Sequence, residues 1–250
     1  MNKKEEIILL IKKGLSINKI QKKLNCSKGT IYYHYKKLKG RKVKEIFFNF
    51  KDGSELGEFL GIFAGDGSFY KRIDTYIYAV KIHIGCYEQQ YADYLKEKLT
   101  IWFGKKPQIY CVFYRGKPSS YIFRYDSKRI YLLLTKYLKW EGRKTYTIRL
   151  KKLETKNKTF NLGFLRGLID TDGSYYAPKK RLSFSTVSEQ LAKQANSIIK
   201  NNIGFSPNVN VIKKEDRADL FTLTLHGEKA KNAIDAIKPS NINKTHTAVV

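Results

Sequence analysis

A fifteen-residue pattern occurs twice in this chain, at residues 56–70 (LGEFLGIFAGDGSFY) and again at residues 162–176 (LGFLRGLIDTDGSYY). Seven of the fifteen positions are identical, and the starting points, 56 and 162, are 106 residues apart. A chain that repeats one element at a long spacing builds similar structural units more than once. The repeat therefore predicts two related halves that share one site.

Small residues recur at every fourth position in each copy of this pattern. Residues four apart lie on one face of an α-helix, and small residues there allow two helix backbones to touch. A glycine inside a helix lowers helix stability by about 1 kcal/mol relative to alanine. Its repetition in both copies therefore indicates that close contact between the two helices is important. The residues expected at this interface between the two motif helices are Gly57, Gly61, Gly163 and Gly167.

Each repeated helix ends in Asp-Gly-Ser, which places Asp66 and Asp172 at helix C-termini, where a negative charge is unfavourable. If the helices pack side by side and parallel, both carboxylates reach the same end, where they must share a proton or bind a cation. Mg²⁺ prefers such oxygen ligands, and two such ions can promote phosphodiester hydrolysis. Asp-Gly is also a common turn before a hairpin, but its double occurrence in one helix pattern favours a metal site.

Charge and composition limit the class of partner. The chain of 250 residues has 49 Lys and Arg against 22 Asp and Glu, a net charge of +27, which predicts binding to a polyanion such as nucleic acid. Its three cysteines are far apart and have no histidine at ligand spacing, which argues against a zinc site. No apolar run approaches the roughly 20 residues of a membrane span, and no signal peptide is evident. We therefore expect a cytoplasmic protein with no membrane partner.

The first 44 residues carry the signals of a small helical module. Helices are expected at Lys3–Lys13, Ile17–Leu24 and Lys28–Leu38, with Ser16 and Ser27 as N-caps of the last two. This pattern resembles the helix-turn-helix of DNA-binding proteins, whose second helix enters the major groove. The segment has fourteen Lys or Arg residues and two Glu, which favours DNA binding over a capping or oligomerisation module. The residues expected to face DNA are Ser27, Lys28, Thr30, Tyr32 and Tyr33.

Beyond residue 44 the periodicity predicts the order helix, hairpin, helix, hairpin, helix twice. We assign a first half at 45–138, a linker at 139–159 and a second half at 160–250. The first half is expected to have helices Leu56–Ala64, Gln89–Phe103 and Lys128–Leu138, and strands Ser68–Ile73, Tyr76–Ile84, Pro107–Tyr114 and Tyr121–Tyr125. The second is expected to have helices 161–171, Glu189–Asn201 and Glu228–Ile237, and strands near 174–177, 182–187, 208–213 and 220–225. The tail from Lys238 has few structural signals.

Basic and aromatic residues alternate along the predicted hairpins, as expected for a β-surface that contacts phosphates and base edges. An ordinary solvated sheet face is the alternative interpretation. The DNA-binding residues expected on the first half are Lys71, Arg72, Tyr78, Lys81, His83, Arg115, Lys117 and Arg124. Those expected on the second half are Lys179, Lys180, Arg181, Lys213 and Lys214.

The segments FLGIFAGDG (Phe59–Gly67) and LRGLIDTDG (Leu165–Gly173) resemble the two motifs of single-chain LAGLIDADG homing endonucleases. The resemblance implies an α+β fold with two pseudo-symmetric αββαββα halves, whose sheets grip double-stranded DNA at a long asymmetric target as a monomer. It also implies cleavage of both strands with Mg²⁺, or alternatively Mn²⁺. The metal ligands it implies are Asp66 and Asp172, together with Gly65 and Thr171, which precede them.

The chain departs from the family pattern near the expected reaction centre. A polar residue that positions water commonly follows the second strand of each half, where this chain has Gly85 and Cys86, then Thr186 and Ser188. Lys128 is the expected basic catalytic residue of the first half. Three functions therefore stay open: a DNA endonuclease, a DNA-binding regulator that does not cut, and an RNA-binding intron maturase.

Overall fold

The computed structural model describes residues 2–39, 46–72, 77–152, 157–213, 215 and 217–245. The chain divides into two compact units, Met1–Glu45 and Ile46–Val250. Within the described ranges, no helix is long and apolar enough to cross a membrane. Three residues that we assigned to strands or to DNA contacts lie outside these ranges: Ile73, Tyr76 and Lys214.

The first unit is a bundle of three helices, α1 (Lys3–Lys12), α2 (Ile17–Leu24) and α3 (Lys28–Lys39). The Ser16 side chain accepts a hydrogen bond from the backbone N–H of Lys19 at the start of α2, and Ser27 caps α3 in the same way. Caps of this kind satisfy backbone donors that a helix leaves unpaired at its first turn. The buried core of the bundle consists of Ile7, Leu10, Ile11, Ile20 and Ile31.

The second unit contains two copies of one αββαββα arrangement, which confirms the predicted α+β fold. The first copy comprises α4 (Gly53–Asp66), β1 (Gly67–Arg72), β2 (Ile77–Gly85), α5 (Gln89–Phe103), β3 (Gln108–Tyr114), β4 (Lys117–Asp126) and α6 (Lys128–Tyr137). It is followed by β5 (Leu138–Lys139), α7 (Lys144–Thr147) and β6 (Arg149–Leu150). The second copy comprises α8 (Lys158–Asp172), β7 (Gly173–Tyr176), β8 (Arg181–Thr186), α9 (Glu189–Ile203), β9 (Asn208–Ile212), β10 (Leu220–His226) and α10 (Gly227–Ile237), followed by α11 (Ile242–Thr245).

Each half has one antiparallel four-stranded sheet with the same strand order, β1-β2-β4-β3 in the first and β7-β8-β10-β9 in the second. The helices cover one face of each sheet, because alternate residues such as Val80, Ile82 and Ile84 are buried in a core shared by both halves. The opposite face of each sheet is left open. We call these the open faces.

Backbone contact between α4 and α8 joins the two halves. A Cβ atom added to Gly61 would lie 2.2 Å from the carbonyl oxygen of Phe164, and one added to Gly167 would lie 2.3 Å from that of Glu58. Gly57 and Gly163 meet backbone atoms of the opposite helix at similar distances. Only glycine permits an approach this close, so the four glycines lie where the two helices touch.

Two segments are more ordered than the sequence suggested. The predicted linker contains the β5–β6 hairpin, because Ile148 and Leu150 are buried and the side chain of Ser188 donates a hydrogen bond to the Ile148 carbonyl at 2.7 Å. The tail contains α11, and the preceding Asn241 is fully buried. These anchors lie far away in the sequence, so local periodicity could not reveal them.

Candidate active site at the ends of the motif helices

The two motif carboxylates lie where α4 and α8 end and the first strand of each half begins. A Cβ atom added to Gly65 would lie 2.9 Å from Oδ2 of Asp172, which places that carboxylate against the last turn of α4. Burial raises the pKa of Asp66 to about 7, and the negative charges of Asp172 and Glu88 contribute to the rise. Asp172 is exposed at the surface, yet partial desolvation by the surrounding protein also raises its pKa. The two helices therefore place two carboxylates in a site that disfavours their charge.

An ammonium group from the linker lies beside these carboxylates. Nζ of Lys144 donates hydrogen bonds to the carbonyl oxygens of Phe63 and Ala64, each at 2.8 Å, and of Gly65 at 3.0 Å. These carbonyls form the C-terminal turn of α4, where a positive charge is favourable. Burial lowers the pKa of Lys144 to about 8, and the charges of Asp172 and Asp66 oppose that shift.

A second ammonium group reaches the carboxylates from the tail. Nζ of Lys244 lies 3.7 Å from Oε1 of Glu88, and its positive charge acts to lower the pKa of both Asp66 and Asp172. The tail is held by Asn241, whose Nδ2 donates to Oε1 of Glu88 and to the carbonyl oxygen of Asp170, each at 2.9 Å. The tail thus connects the first half to the second motif helix.

The two lysines stand at the same sequence distance from the last helix of each half, although they have different partners. Lys144 lies seven residues beyond Tyr137, the end of α6, and Lys244 lies seven residues beyond Ile237, the end of α10. Neither lysine could be identified from the repeated motif, because both lie outside it. Their matching distance from the last helix of each half is the signal that could have found them.

Comparison with known proteins supports the resemblance seen in the motifs. Residues 159–237 match the family model of the LAGLIDADG-like domain. A structure from a study of mesophilic variants of the homing endonuclease I-DmoI aligns with a TM-score of 0.53 and 20% identity, over 76% of this chain and 98% of that chain. The main unit has the LAGLIDADG fold.

Two further structures share the LAGLIDADG fold with this chain. One is an I-DmoI variant in complex with its target DNA in the presence of 2 mM Mg, with a TM-score of 0.51 and 18% identity over 75% of this chain and 97% of that chain. The other is full-length DUF199/WhiA from Thermatoga maritima, with a TM-score of 0.50 and 13% identity over 77% of this chain and 58% of that chain. A comparison with curated proteins gave no match.

The residues of this LAGLIDADG site fit a divalent cation through the carboxylates of Asp66 and Asp172. Desolvation raises the pKa of both, and the charge of Asp172 adds to the rise at Asp66, so a bound cation would offset the unfavourable charge. In the described part of the chain, no group of three or more His, Cys, Asp or Glu side chains forms a metal site. Water and DNA phosphates would therefore supply the other ligands, as is usual for Mg²⁺.

Two other expected metal ligands have different partners. The Gly65 carbonyl accepts a hydrogen bond from Lys144, as described above. The Thr171 hydroxyl donates to the carbonyl oxygens of Gly167 and Leu168 on its own helix, at 3.0 and 3.1 Å. Hydroxyls of helical threonines commonly bond back to the preceding turn in this way. Thr171 therefore directs its hydroxyl along α8.

The expected catalytic lysine lies in different surroundings, and so do residues at the positions where the family commonly has a water-positioning side chain. Lys128 is exposed at the start of α6, with Nζ 5.7 Å from the ring centroid of Tyr78, whereas the lysine charges that act on the motif carboxylates come from Lys144 and Lys244. The Ser188 hydroxyl is buried and caps α9. Cys86 lies beside Cys111, with the two sulfur atoms 3.6 Å apart. The structure therefore does not show Lys128 or Ser188 beside the motif carboxylates.

The open face of the first sheet has a different composition from the one expected. Strand pairing aligns Lys71 with Tyr78 on the helix-covered side, where Nζ of Lys71 lies 5.5 Å from the ring centroid of Tyr131 in α6. Our assignment of Lys71 and Tyr78 to the DNA-facing surface is therefore corrected, because side chains alternate between the two faces of a sheet. The expected residues that do share the open face are Arg72, Lys81, His83 and Arg124.

The remaining basic residues lie mostly at turns. Arg115 and Lys117 are exposed at the β3–β4 turn, where the Arg115 guanidinium lies 5.2 Å from the ring centroid of Tyr114. Lys179 and Lys180 are exposed in the β7–β8 turn, and Lys180 forms an ion pair with Glu228. Arg181 begins β8, and Lys213 follows β9.

The open face of the second sheet carries mainly small polar side chains, and the Ser185 hydroxyl is hydrogen bonded to that of Thr222 at 2.9 Å. The two open faces therefore differ: the first carries Arg72, Lys81 and Arg124, whereas the second carries Arg181 at one end and is otherwise mainly uncharged. Such a difference would suit an asymmetric binding partner.

The first unit presents its expected DNA-binding residues on α3. Lys28, Tyr32 and Tyr33 are exposed. Ser27 and Thr30 bond to each other through their hydroxyls at 2.8 Å, so part of their hydrogen-bonding capacity serves the helix cap. Contacts to DNA from this helix would therefore come mainly from the exposed lysine and the two tyrosines.

Proposed function

We propose that this protein is a metal-dependent DNA endonuclease that hydrolyses phosphodiester bonds in both strands of a specific double-stranded target. The observation that carries this proposal is the placement of Asp66 and Asp172 at the same end of two helices in backbone contact, with raised pKa values. The solved complex of an I-DmoI variant with its target DNA and Mg supports the same substrate for this fold.

Asp66 and Asp172 would hold Mg²⁺, or Mn²⁺ in its place. When bound, the ion would supply positive charge to the attacking and leaving oxygens of the phosphodiester. Lys244 would add positive charge from the tail, since its charge acts on both carboxylates. The raised pKa of Asp66, to about 7, means that cation binding competes with protonation near neutral pH.

The open faces would hold the DNA on either side of this site. Lys81 and Arg124 are paired across β2 and β4 and would contact phosphates or base edges. In the free protein the Arg124 Nε donates to Oδ1 of Asp126 at 2.9 Å, so DNA binding would exchange this partner for a nucleic-acid acceptor. We infer a monomer, because one chain already contains both motif helices.

The first unit would act as a second DNA-binding module. A tethered module raises affinity through effective concentration and lengthens the recognised sequence. This role is supported by its three helices, two of which have serine caps. It is also supported by its local charge, since residues 1–44 have fourteen Lys or Arg and two Glu. The added module would make the target longer than the main unit alone could cover.

Selection from a randomised duplex library in Mg²⁺, comparing the wild type with Asp172→Asn, tests the proposed function. We expect the wild type to release cleaved products that share one long site, and the variant to bind that site without cutting it. Binding of one site by both proteins, with no cutting in Mg²⁺ or Mn²⁺, would reject the endonuclease.

A DNA-binding regulator without cleavage activity is the second candidate. The observation that favours it is the presence of two lysines near the motif carboxylates, since Lys144 and Lys244 offset their charge without any metal. The library selection separates the two candidates, because a regulator would bind one site and leave both strands intact.

A further inference from the structure

The C-terminal turn of α4 is already occupied by a cation. All three N–H donors of the Lys144 ammonium can be matched to carbonyl oxygens, those of Phe63, Ala64 and Gly65, at 2.8, 2.8 and 3.0 Å. The ammonium also lies 5.2 Å from the ring centroid of Phe63, a favourable position for a cation. Charge-assisted bonds of this kind are stronger than neutral ones.

The segment that carries Lys144 is anchored to the second half. Leu150 exchanges two hydrogen bonds with the side chain of Gln194, at 2.8 and 2.9 Å, and the hydroxyl of Ser188 bonds to the Ile148 carbonyl. Within the segment, the Thr147 hydroxyl donates to the Glu141 carbonyl at 2.6 Å. The ammonium is therefore held against the first half by a structure fixed to the second half.

The C-terminal end of α8 has different hydrogen-bond partners from that of α4. There the carbonyl of Asp170 accepts from the neutral amide of Asn241, and the equivalent lysine, Lys244, lies near Glu88 instead. The last carbonyl groups of α4 thus accept hydrogen bonds from a charged ammonium, whereas the Asp170 carbonyl of α8 accepts one from an uncharged amide. The two carboxylates consequently have unequal neighbours, although the halves repeat the same fold.

We propose that the Lys144 ammonium occupies the position at the end of α4 where a divalent ion would otherwise bind. The protein would then bind one divalent ion, whereas a site with two equivalent helix ends would bind two. The inference rests on the proposed function. While the Gly65 carbonyl accepts a hydrogen bond from Lys144, it is not free to bind a metal ion. A divalent ion at that carbonyl would also lie next to a positive charge, which is unfavourable.

The test counts bound Mn²⁺ by electron paramagnetic resonance, on the full chain alone and on its complex with the selected duplex. The Asp66→Asn/Asp172→Asn double variant gives the background from unspecific sites. We expect the wild type to bind one ion above that background and Lys144→Met to bind two. The matched control is Lys139→Met, which removes an exposed lysine of the same segment that pairs with Glu141 at 3.1 Å. This control should still bind one ion.

Equal ion counts and affinities for the wild type and Lys144→Met would overturn the inference. If the ion counts and affinities are equal but the wild type still cuts DNA, the inference about Lys144 fails and the proposed function stands. If no protein binds Mn²⁺ above the background and none cuts, the proposed function fails with it. Lys144→Ala serves as a second neutral variant if Lys144→Met does not fold. Lys144→Arg, which keeps a cation, should retain a count of one, and a count of two there would also contradict the inference.

Discussion

At the scale of single residues, the site depends on charges placed where the helix ends disfavour them. The sequence correctly placed Asp66 and Asp172 at helix ends, because both stand at the end of a repeated helix pattern, and their role as metal ligands stays a prediction. Lys144 and Lys244 could not be identified from the motif, because their positions depend on anchors such as Gln194 and Asn241 that come from elsewhere in the fold. A lysine in a basic chain also carries little information by itself.

Replacing Asp66 or Asp172 by asparagine should abolish cleavage and leave DNA binding within about twofold of the wild type. The asparagine keeps the shape of the side chain but removes the charge that would hold the cation. Cleavage assays and gel shifts on the same target duplex measure the two effects. Normal cutting by either variant would show that its carboxylate is not a metal ligand.

Asp66→Asn should also stabilise the metal-free protein at pH 8 and have little effect at pH 4. Folding raises the pKa of Asp66 from its ordinary value of 3.8 to about 7, so the folded state binds more protons and becomes less stable as the pH rises between these values. Thermal denaturation at both pH values measures this difference. Asp235→Asn, at an exposed position of α10, controls for the removal of one negative charge. An equal shift in Tm at both pH values would contradict the expected linkage.

At the scale of elements, the repeat and the strand periodicity predicted the hairpins that form the sheets. They also predicted each long helix to within about one turn of its full length. The start of α4 was placed too late, because the Asp52 side chain accepts from the backbone N–H groups of Ser54 and Glu55 and begins the helix earlier. The side on which each strand residue lies was harder to predict. Lys71 and Tyr78 were assigned to the wrong face because register depends on pairing across the sheet.

Gly61→Ala should destabilise the main unit by about 3 kcal/mol, because the added Cβ would overlap the backbone of α8 and push the helices apart. Gly29→Ala in α3 is the matched control. Its Cβ would meet no heavy atom closer than 3.7 Å, so the first unit should gain up to about 1 kcal/mol in helix stability. Chemical denaturation of both variants measures the difference. A neutral Gly61→Ala would mean that the two helices do not touch at this position.

At the scale of the whole molecule, the net charge of +27 is spread over two units with separate cores. The charge predicted a polyanionic partner, but it could not show which surfaces carry the binding residues. Of the residues on the sheets, Arg72, Lys81 and Arg124 lie on the first open face, whereas the second open face carries Arg181 and is otherwise mainly uncharged. Recognition of the two halves of a target should therefore rely on different kinds of contact.

Deleting residues 1–44 should weaken DNA binding and flatten its dependence on salt. The slope of log K against log salt concentration should become shallower by about 0.9 for each phosphate that the shortened protein no longer neutralises. Because the remaining residues form a compact unit of their own, the shortened protein should stay folded, which circular dichroism checks. An unchanged salt slope would mean that the first unit does not bind DNA phosphates.

The equivalent placement of Lys144 and Lys244, each seven residues beyond the last helix of its half, also bears on ancestry and on design. This spacing is expected if the duplicated segment extends past the αββαββα core, so that each copy includes its own closing lysine. An engineered homodimer of residues 46–152 would keep Lys144 but lose Ser188 and Gln194, which anchor its segment. A homodimer built from the second copy would keep Lys244 but lose its partner Glu88, so the two copies are unequal starting points for a symmetric nuclease.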